Sequence, residues 1–437
     1  MRVLYDVSTL GLAHLYEQSR GGAFRAELRL AEGLLASGAC ELYFCANHST
    51  VAYHGARAFL DRYEPLSRVP LVAPRRAAGA TVRTLVSAAH GGVRRLFGSN
   101  VLPGVLRRGG RWVDRRLHRP LDDSCAAADI LQSFCAPLPP RSGSGSLRRV
   151  LTVYDMAART HPELYADAHR QALSTLLTSV TSEDHLVTCS GFARDELIGA
   201  GAAAPERIHV VPLAADASTF HPTGDIERLR QVRRRYAIAD GPYALAVNTP
   251  DARKNVVRAI HAFAAAWRQA PERMGSLVLT GSPGPDHGPI QRAIAGYPAL
   301  HGRIVLTGYV PDADLAPLYT GARFFVCSSL YEGFGLPPLE AMQCGTPVVA
   351  SNTSSLPEVV GDAGILVPPE DVGAIGAAML ALACNDQRHA GFRSRALSKA
   401  REFSWETSVA RLLEAYRAAL GAAPAQRSGH SPIRLSR

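Results

Sequence analysis

Apolar positions fall along this chain in two patterns that take turns: short continuous runs, and longer stretches at helical spacing. Residues 2–7 form the first run. Ala23 to Ser37 then carries Phe24, Leu28, Leu30, Leu34 and Leu35 at helical intervals, and Glu41 to Cys45 forms a second run. Run, periodic stretch and run predict a βαβ unit, hence a parallel sheet with a right-handed crossover. The alternation predicts further strands near 129–133, 149–154, 186–189 and 208–211, separated by helices near 163–182 and 191–199 and broken once by a Pro/Gly/Ser loop from Pro137 to Ser146.

A charged, Arg-rich segment from Pro222 to about Gly241 separates this series from a second one. Tyr243-Ala244-Leu245-Ala246-Val247 opens it. Strands are expected near 276–280, 303–307, 323–327, 346–350 and 364–367, with helices near 254–268, 288–297, 312–320, 336–344, 371–384, 387–401 and 405–420. The fold class is therefore α/β, with two doubly wound, Rossmann-like domains facing across a cleft. At 437 residues the chain exceeds what one core usually organises. The expected division is an N-terminal domain over 1–212 with a basic insertion at about 66–120, and a C-terminal domain over 213–402. A helix over 403–420 is expected to pack back on the N-terminal domain, and 421–437 to form a disordered tail. Ligands of such sheets bind beyond the carboxyl ends of the strands, so functional residues belong in the strand-to-helix loops.

Composition, 47% hydrophobic and 20% charged, is that of a globular protein. No apolar run is long enough for a membrane helix, and the opening residues read as a strand rather than a signal peptide. Eight cysteines without a Cys-x-x-Cys pair read as free thiols of a reducing compartment. A cytoplasmic protein is expected, with a peripheral association at the inner face of the membrane as an extension of that reading. The extension comes from charge. Residues 68 to 119 hold twelve Arg against the single acid Asp114, so this segment carries +11 and the remainder of the +10 chain sums to −1. Two readings stand: an anionic partner such as membrane phospholipid, a lipid-linked phosphate or nucleic acid, or a chain-wide preference for Arg, since only Lys254 and Lys399 accompany 46 Arg.

The densest motif, Tyr331-Glu332-Gly333-Phe334-Gly335-Leu336-Pro337-Pro338-Leu339-Glu340, follows the strand ending at Cys327. It reads as a glycine turn opening a helix. The glycines permit close approach of backbone to ligand, proline suits the first helical turn, and the helix N-terminus favours an anion. Glu332 and Glu340 can each accept hydrogen bonds from sugar hydroxyls. A second motif, Asp251-Ala252-Arg253-Lys254-Asn255, follows the 243–247 strand, where Arg253 and Lys254 can neutralise a leaving diphosphate. Asp312-Ala313-Asp314 reads as a helix-capping segment rather than a metal-binding pair, and no metal is expected.

The segment from Glu332 to Glu340 resembles the Glu-x7-Glu signature of glycosyltransferase family 4, the retaining nucleotide-sugar transferases with the GT-B fold. The resemblance runs on through Cys344 to Ser351 and Ser355 to Gly364, and covers about 1–46 and 121–420. It implies that Glu332 takes the donor hexose, that Glu340 takes the ribose, and that amides of Gly333, Phe334, Gly335 and Leu336 contact sugar and phosphate. Gly21 and Gly22, which alone would also suit a plain tight turn, are similar to the loop beneath the donor phosphates. Tyr309 and Val310 complete the donor-binding set with Arg253 and Lys254. Glu332, Lys254 and Arg253 are the catalytic candidates. The chain departs from the family at Asn248, usually Gly, at Thr249, often Arg, and at Tyr154, commonly His in a His-Asp pair.

The resemblance implies transfer of a hexose, mannose by preference, from a GDP- or UDP-hexose co-substrate with no other cofactor, and with no carboxylate or His cluster in the sequence the transfer is expected to be metal-independent. The acceptor would be a glycan or lipid-linked chain of cell-surface polysaccharide synthesis. Two alternatives are a nucleotide-sugar epimerase on the same fold and a nucleic-acid-binding protein. The first lacks a use for the paired glutamates. The second lacks interleaved aromatics in the basic stripe, so nucleic acid is not expected as a partner.

Overall fold

The computed structural model describes residues 1–15, 21–72, 128–141, 147–247, 251–281 and 287–421. Most of the basic insertion, Asn248 and Thr249, and the tail beyond residue 421 lie outside the described residues.

Two six-stranded parallel sheets organise the chain. The first joins β1 (Arg2–Asp6), β2 (Glu41–Cys45), β3 (Ile130–Phe134), β4 (Arg148–Thr152), β5 (His185–Thr188) and β6 (Ile208–Val210) in the order β2-β1-β3-β4-β5-β6. The second joins β7 (Tyr243–Val247), β8 (Ser276–Thr280), β9 (Ile304–Gly308), β10 (Phe324–Cys327), β11 (Val348–Ser351) and β12 (Gly364–Val367) in the order β12-β11-β10-β7-β8-β9. Strands such as β3 and β8 are buried at every position, as continuous apolar runs covered by helices on both faces should be. In each sheet the strand order reverses once, between β1 and β3 and between β7 and β10. Those are the points where crevices open.

The longer helices of the first array are α1 (Ser8–Leu15), α2 (Gly22–Ser37), α3 (Thr50–Leu60), α4 (Asp167–Thr178) and α5 (Gly191–Gly199). After α6 (Ile226–Arg235), the second array carries α7 (Val256–Gln269), α8 (His287–Ala295), α9 (Asp312–Gly321), α10 (Leu336–Gln343), α11 (Leu356–Val360), α12 (Val372–Cys384) and α13 (Asp386–Ala400). Amphipathic α2 ends as its sequence suggests: Gly38 adopts a left-handed conformation and its N–H returns to the Leu35 carbonyl. Helices α1 and α3 cross so closely that a Cβ on Gly11 would lie 2.1 Å from the Ala52 carbonyl oxygen. Among the described residues no helix is long and apolar enough to cross a membrane.

The charged segment between the sheets contains a helix that the sequence reading did not assign, α6, capped by the Asp225 side chain. One expectation needs correction. Asp312 and Asp314 do not cap α9; Pro311 occupies the N-cap. Asp314 is instead buried and accepts from Arg228 at 2.5 Å, Arg235 at 2.7 Å and the Tyr236 hydroxyl at 2.8 Å. A carboxylate withdrawn from water needs charged partners more than the helix end needs a cap, so Asp314 fastens α6 and the residue after it to the second array.

The last helix, α14 (Trp405–Ala419), leaves the second array and packs on the first, where Leu412, Leu413 and Tyr416 share a core with Val3, Leu30 and Leu34. Its Ser408 hydroxyl donates to the Pro212 carbonyl at 2.6 Å, and Val409 fills the space a side chain on Gly33 would need. Leu412 is wholly buried. Leu412→Ala should lower the unfolding free energy by about 3 kcal/mol, read as a reduced urea midpoint. A midpoint equal to that of wild type would contradict this packing.

Candidate active site

The reversal point of the second sheet brings the two sequence motifs together. After β7, the short turn Ala252–Lys254 is closed by Asp251, whose carboxylate accepts from the Arg253 N–H at 3.0 Å. Asn255 follows in a left-handed conformation, and its amide donates to the Ser328 and Pro369 carbonyls at 3.0 and 2.7 Å. That clamp fixes the β7 loop against the β10 loop.

Glu332, on the β10 loop, accepts from Lys254 Nζ at 2.5 Å, Arg253 Nη1 at 2.9 Å and Ser329 Oγ at 2.7 Å. Its backbone N–H donates to Ser354 Oγ, and Ser355 Oγ donates to the carbonyls of Glu332 and Phe334 at 2.8 Å. Burial pushes the Glu332 carboxyl up, but Lys254 and Arg253 outweigh it and hold it down at about 2. Glu340, inside α10, differs. Burial raises it to about 7, against the opposing pull of Arg25 and the Tyr319 hydroxyl.

A cleft of about 1230 Å³ lies between the two arrays. Its wall brings together all of the donor-binding candidates: Gly21, Gly22, Arg253, Lys254, Tyr309, Val310, Glu332, Gly333, Phe334, Gly335, Leu336 and Glu340. Tyr309 is 68% exposed, whereas Val310 is buried in the core. Gly335 caps α10 at φ +109°, and Pro337 and Pro338 take early helical positions where no N–H partner is lost. From the first array come Gly21 and Gly22 at the start of α2, Tyr154, and Asp155 after β4. Burial raises the Asp155 carboxyl, opposed by the Ala157 N–H that it accepts at 3.1 Å and by Arg253.

The glycines let the arrays approach. A Cβ on Gly333 would lie 2.7 Å from the Tyr154 carbonyl oxygen, and one on Gly22 would press Leu336 at 3.1 Å. Side chains to which the sequence reading assigned no role complete the contact. The Glu358 carboxylate accepts from the Gly191 and Phe192 N–H groups at 2.9 and 2.6 Å, at the positive end of α5. Ser190 Oγ donates to the Gly333 carbonyl at 2.8 Å, and the Tyr331 hydroxyl donates to Glu196. Glu358 stands within Ser355 to Gly364, and a charged residue amid apolar neighbours was the available signal. Among the described residues no group of three or more His, Cys, Asp or Glu side chains converges as metal ligands would.

Residues 242–385 match the family described as Glycosyl transferases group 1. The chain is 38% identical over 271 residues to the O-antigen chain mannosyltransferase B of Escherichia coli, a match covering 62% of this chain and 70% of that protein. The chain belongs to the group 1 glycosyltransferases. Among solved structures it resembles sucrose-phosphate synthase from Thermosynechococcus elongatus, with TM-score 0.63 at 18% identity over 96% of this chain and 99% of that one. It also resembles Anabaena Alr3699/HepE in complex with UDP, with TM-score 0.63 at 16% identity over 96% and 100%. These likenesses show the two-domain GT-B fold. In this group 1 glycosyltransferase the epimerase alternative is not favoured, because the matched relative is a transferase.

The charge on Glu332 carries a testable consequence. Its folded value of about 2 lies below its ordinary 4.5, so the stabilisation is present above pH 4.5 and is lost as pH falls toward 2. Glu332→Gln should lack this component. Thermal unfolding midpoints measured at about pH 3 and about pH 6 should differ less in the variant than in wild type; an equal difference would place the acid sensitivity elsewhere.

Proposed function

We propose that this glycosyltransferase moves a hexose, mannose first, from a nucleoside-diphosphate sugar to a glycan or lipid-linked acceptor in cell-surface polysaccharide assembly. The observation that carries the reading is the convergence of Lys254 and Arg253 on one face of the cleft with Glu332 between them. The mannosyl and polysaccharide parts rest on the O-antigen mannosyltransferase likeness.

The chemistry follows from the charges. As the glycosidic bond breaks, negative charge grows on the departing diphosphate, and Lys254 and Arg253 stand ready to stabilise it without reorganising. They bring the positive charge that a metal would otherwise supply, so the transfer needs neither metal nor any cofactor besides the nucleotide sugar. Glu332 orients hexose hydroxyls and Glu340 orients the ribose. No side chain is assigned as a covalent nucleophile: the acceptor hydroxyl enters on the face the nucleotide leaves, the departing phosphate oxygen takes its proton, and configuration is retained. Positioning and the closed cleft do the rest. The basic stripe of 68–119, by its sequence charge, favours an anionic membrane surface or a lipid-linked phosphate next to the acceptor.

Incubation with GDP-mannose, and separately with UDP-glucose, should give mannosyl or glucosyl transfer, or slow donor hydrolysis, detected by mass spectrometry. Lys254→Met should lower turnover by about 10²–10³-fold with the fold intact. Undiminished turnover in that variant would remove Lys254 from the mechanism, and no reaction with any nucleotide sugar would overturn the donor reading.

A further inference from the structure

Arg25 stands on α2, one turn beyond Gly21 and Gly22, on the first array's side of the cleft. Its guanidinium crosses to the second array. Nη1 donates to Glu340 Oε1 at 2.5 Å, Nη2 donates to Asp312 Oδ1 at 2.5 Å, and the group lies 5.7 Å from the centre of the Phe220 ring. The Glu340 side chain is 4% exposed and that of Asp312 47%, so the contact with Glu340 is the desolvated one. The other oxygen, Oε2, accepts from the Tyr319 hydroxyl at 3.0 Å. Tyr319 lies on α9, within the second array; Arg25 reaches Glu340 from the opposite side of the cleft.

We propose that Arg25 is a positioning residue for the nucleotide ribose, holding the Glu340 carboxylate oriented and ionised from across the cleft, so that the ribose subsite is complete only when the two arrays are closed on each other. The inference deepens the donor reading and rests on it. A vicinal diol offers two O–H donors, and an ionised carboxylate has about four lone-pair sites on its two oxygens. Arg25 and Tyr319 engage one site on each oxygen, which leaves acceptor capacity on both for the diol. A protonated carboxyl loses half of that symmetry and turns one oxygen into a donor.

Arg25 is the cation that faces Glu340 and its strongest opposition to burial, with the Tyr319 hydrogen bond acting in the same direction. Asp312, on α9, adds negative charge beside Glu340. Tyr319 and Cys344 face it as neutral groups, and burial raises both of them. Arg393, on α13, is directed at the Gly345 carbonyl at 2.8 Å. Lys254 and Arg253 are engaged with Glu332. Without Arg25, the carboxyl that burial has already raised to about 7 would rise further.

The test is calorimetric titration of GDP and UDP into wild type, Arg25→Gln, Arg25→Lys and Glu340→Ala from about pH 6 to about pH 9, with circular dichroism confirming each fold. Wild-type affinity should fall as pH drops through about 7. Arg25→Gln should bind about tenfold more weakly at neutral pH, with the fall displaced upward by about one pH unit or more, and should recover toward wild type at the alkaline end. Arg25→Lys should restore much of the affinity and the original profile. A folded Arg25→Gln protein with wild-type affinity, or with weakened affinity but an unmoved pH profile, would overturn the inference while leaving the donor site standing. If wild type binds no nucleotide, or Glu340→Ala binds as well as wild type, the donor reading falls and the inference with it.

Discussion

Glu332 is a buried carboxylate in a wall between two protein bodies, and a lone charge there would be too costly to hold. Lys254 and Arg253 remove that cost and at the same time tie the loop after β7 to the loop after β10. Two cations side by side would repel each other; with the carboxylate between them they form a stable triad that keeps a net positive charge. The geometry of the cleft follows from this arrangement. The Asn255 clamp fixes the same two loops, while Ser329 within the β10 loop and Ser355 from the segment after β11 hold Glu332, so the charged atoms stand in place before any ligand arrives. A site of that kind suits an anionic leaving group, because stabilisation during the reaction then requires no rearrangement of the protein.

The second constraint is how near the arrays can come. Gly22 and Gly333 sit where any side chain would press on the opposite wall, so the cleft is narrow because these positions have no Cβ. Glu358 at the N-terminus of α5, Ser190 on the Gly333 carbonyl and Arg25 on Glu340 then hold the closed arrangement with charged and polar contacts, beside an apolar cluster in which Ala26 and Cys189 of the first array meet Phe334 and Leu336 of the second. Closure matters chemically, since it excludes water that would otherwise hydrolyse a sugar donor.

The parallel strands were legible because both of their faces are covered, which leaves short continuous apolar runs; the apolar run Val372–Cys384 is told apart by its length and forms α12. The loops around Glu332 and Lys254 were legible because glycine, proline and charge occur there at fixed offsets from a strand end. Helix α6 was not: its apolar positions, Ile226, Leu229 and Val232, are sparse, and it is held through Arg228 to Asp314, far along the chain. The same distance explains the misreading of Asp312 and Asp314, whose local sequence suits a cap while their partners arrive from α2, from α6 and from the residues just beyond it. Arg25, Glu358, Tyr331 and Ser190 act across the cleft, and a single chain's local pattern does not say which faces will meet.

The most direct measurement is a crystal structure of the protein with a bound nucleoside diphosphate. The expected result places a diphosphate oxygen within hydrogen-bonding distance of Lys254 Nζ or the Arg253 guanidinium, with the ribose against Glu340. Diphosphate bound elsewhere, with Lys254 and Arg253 still wholly engaged by Glu332, would contradict the assignment of this triad as the donor site.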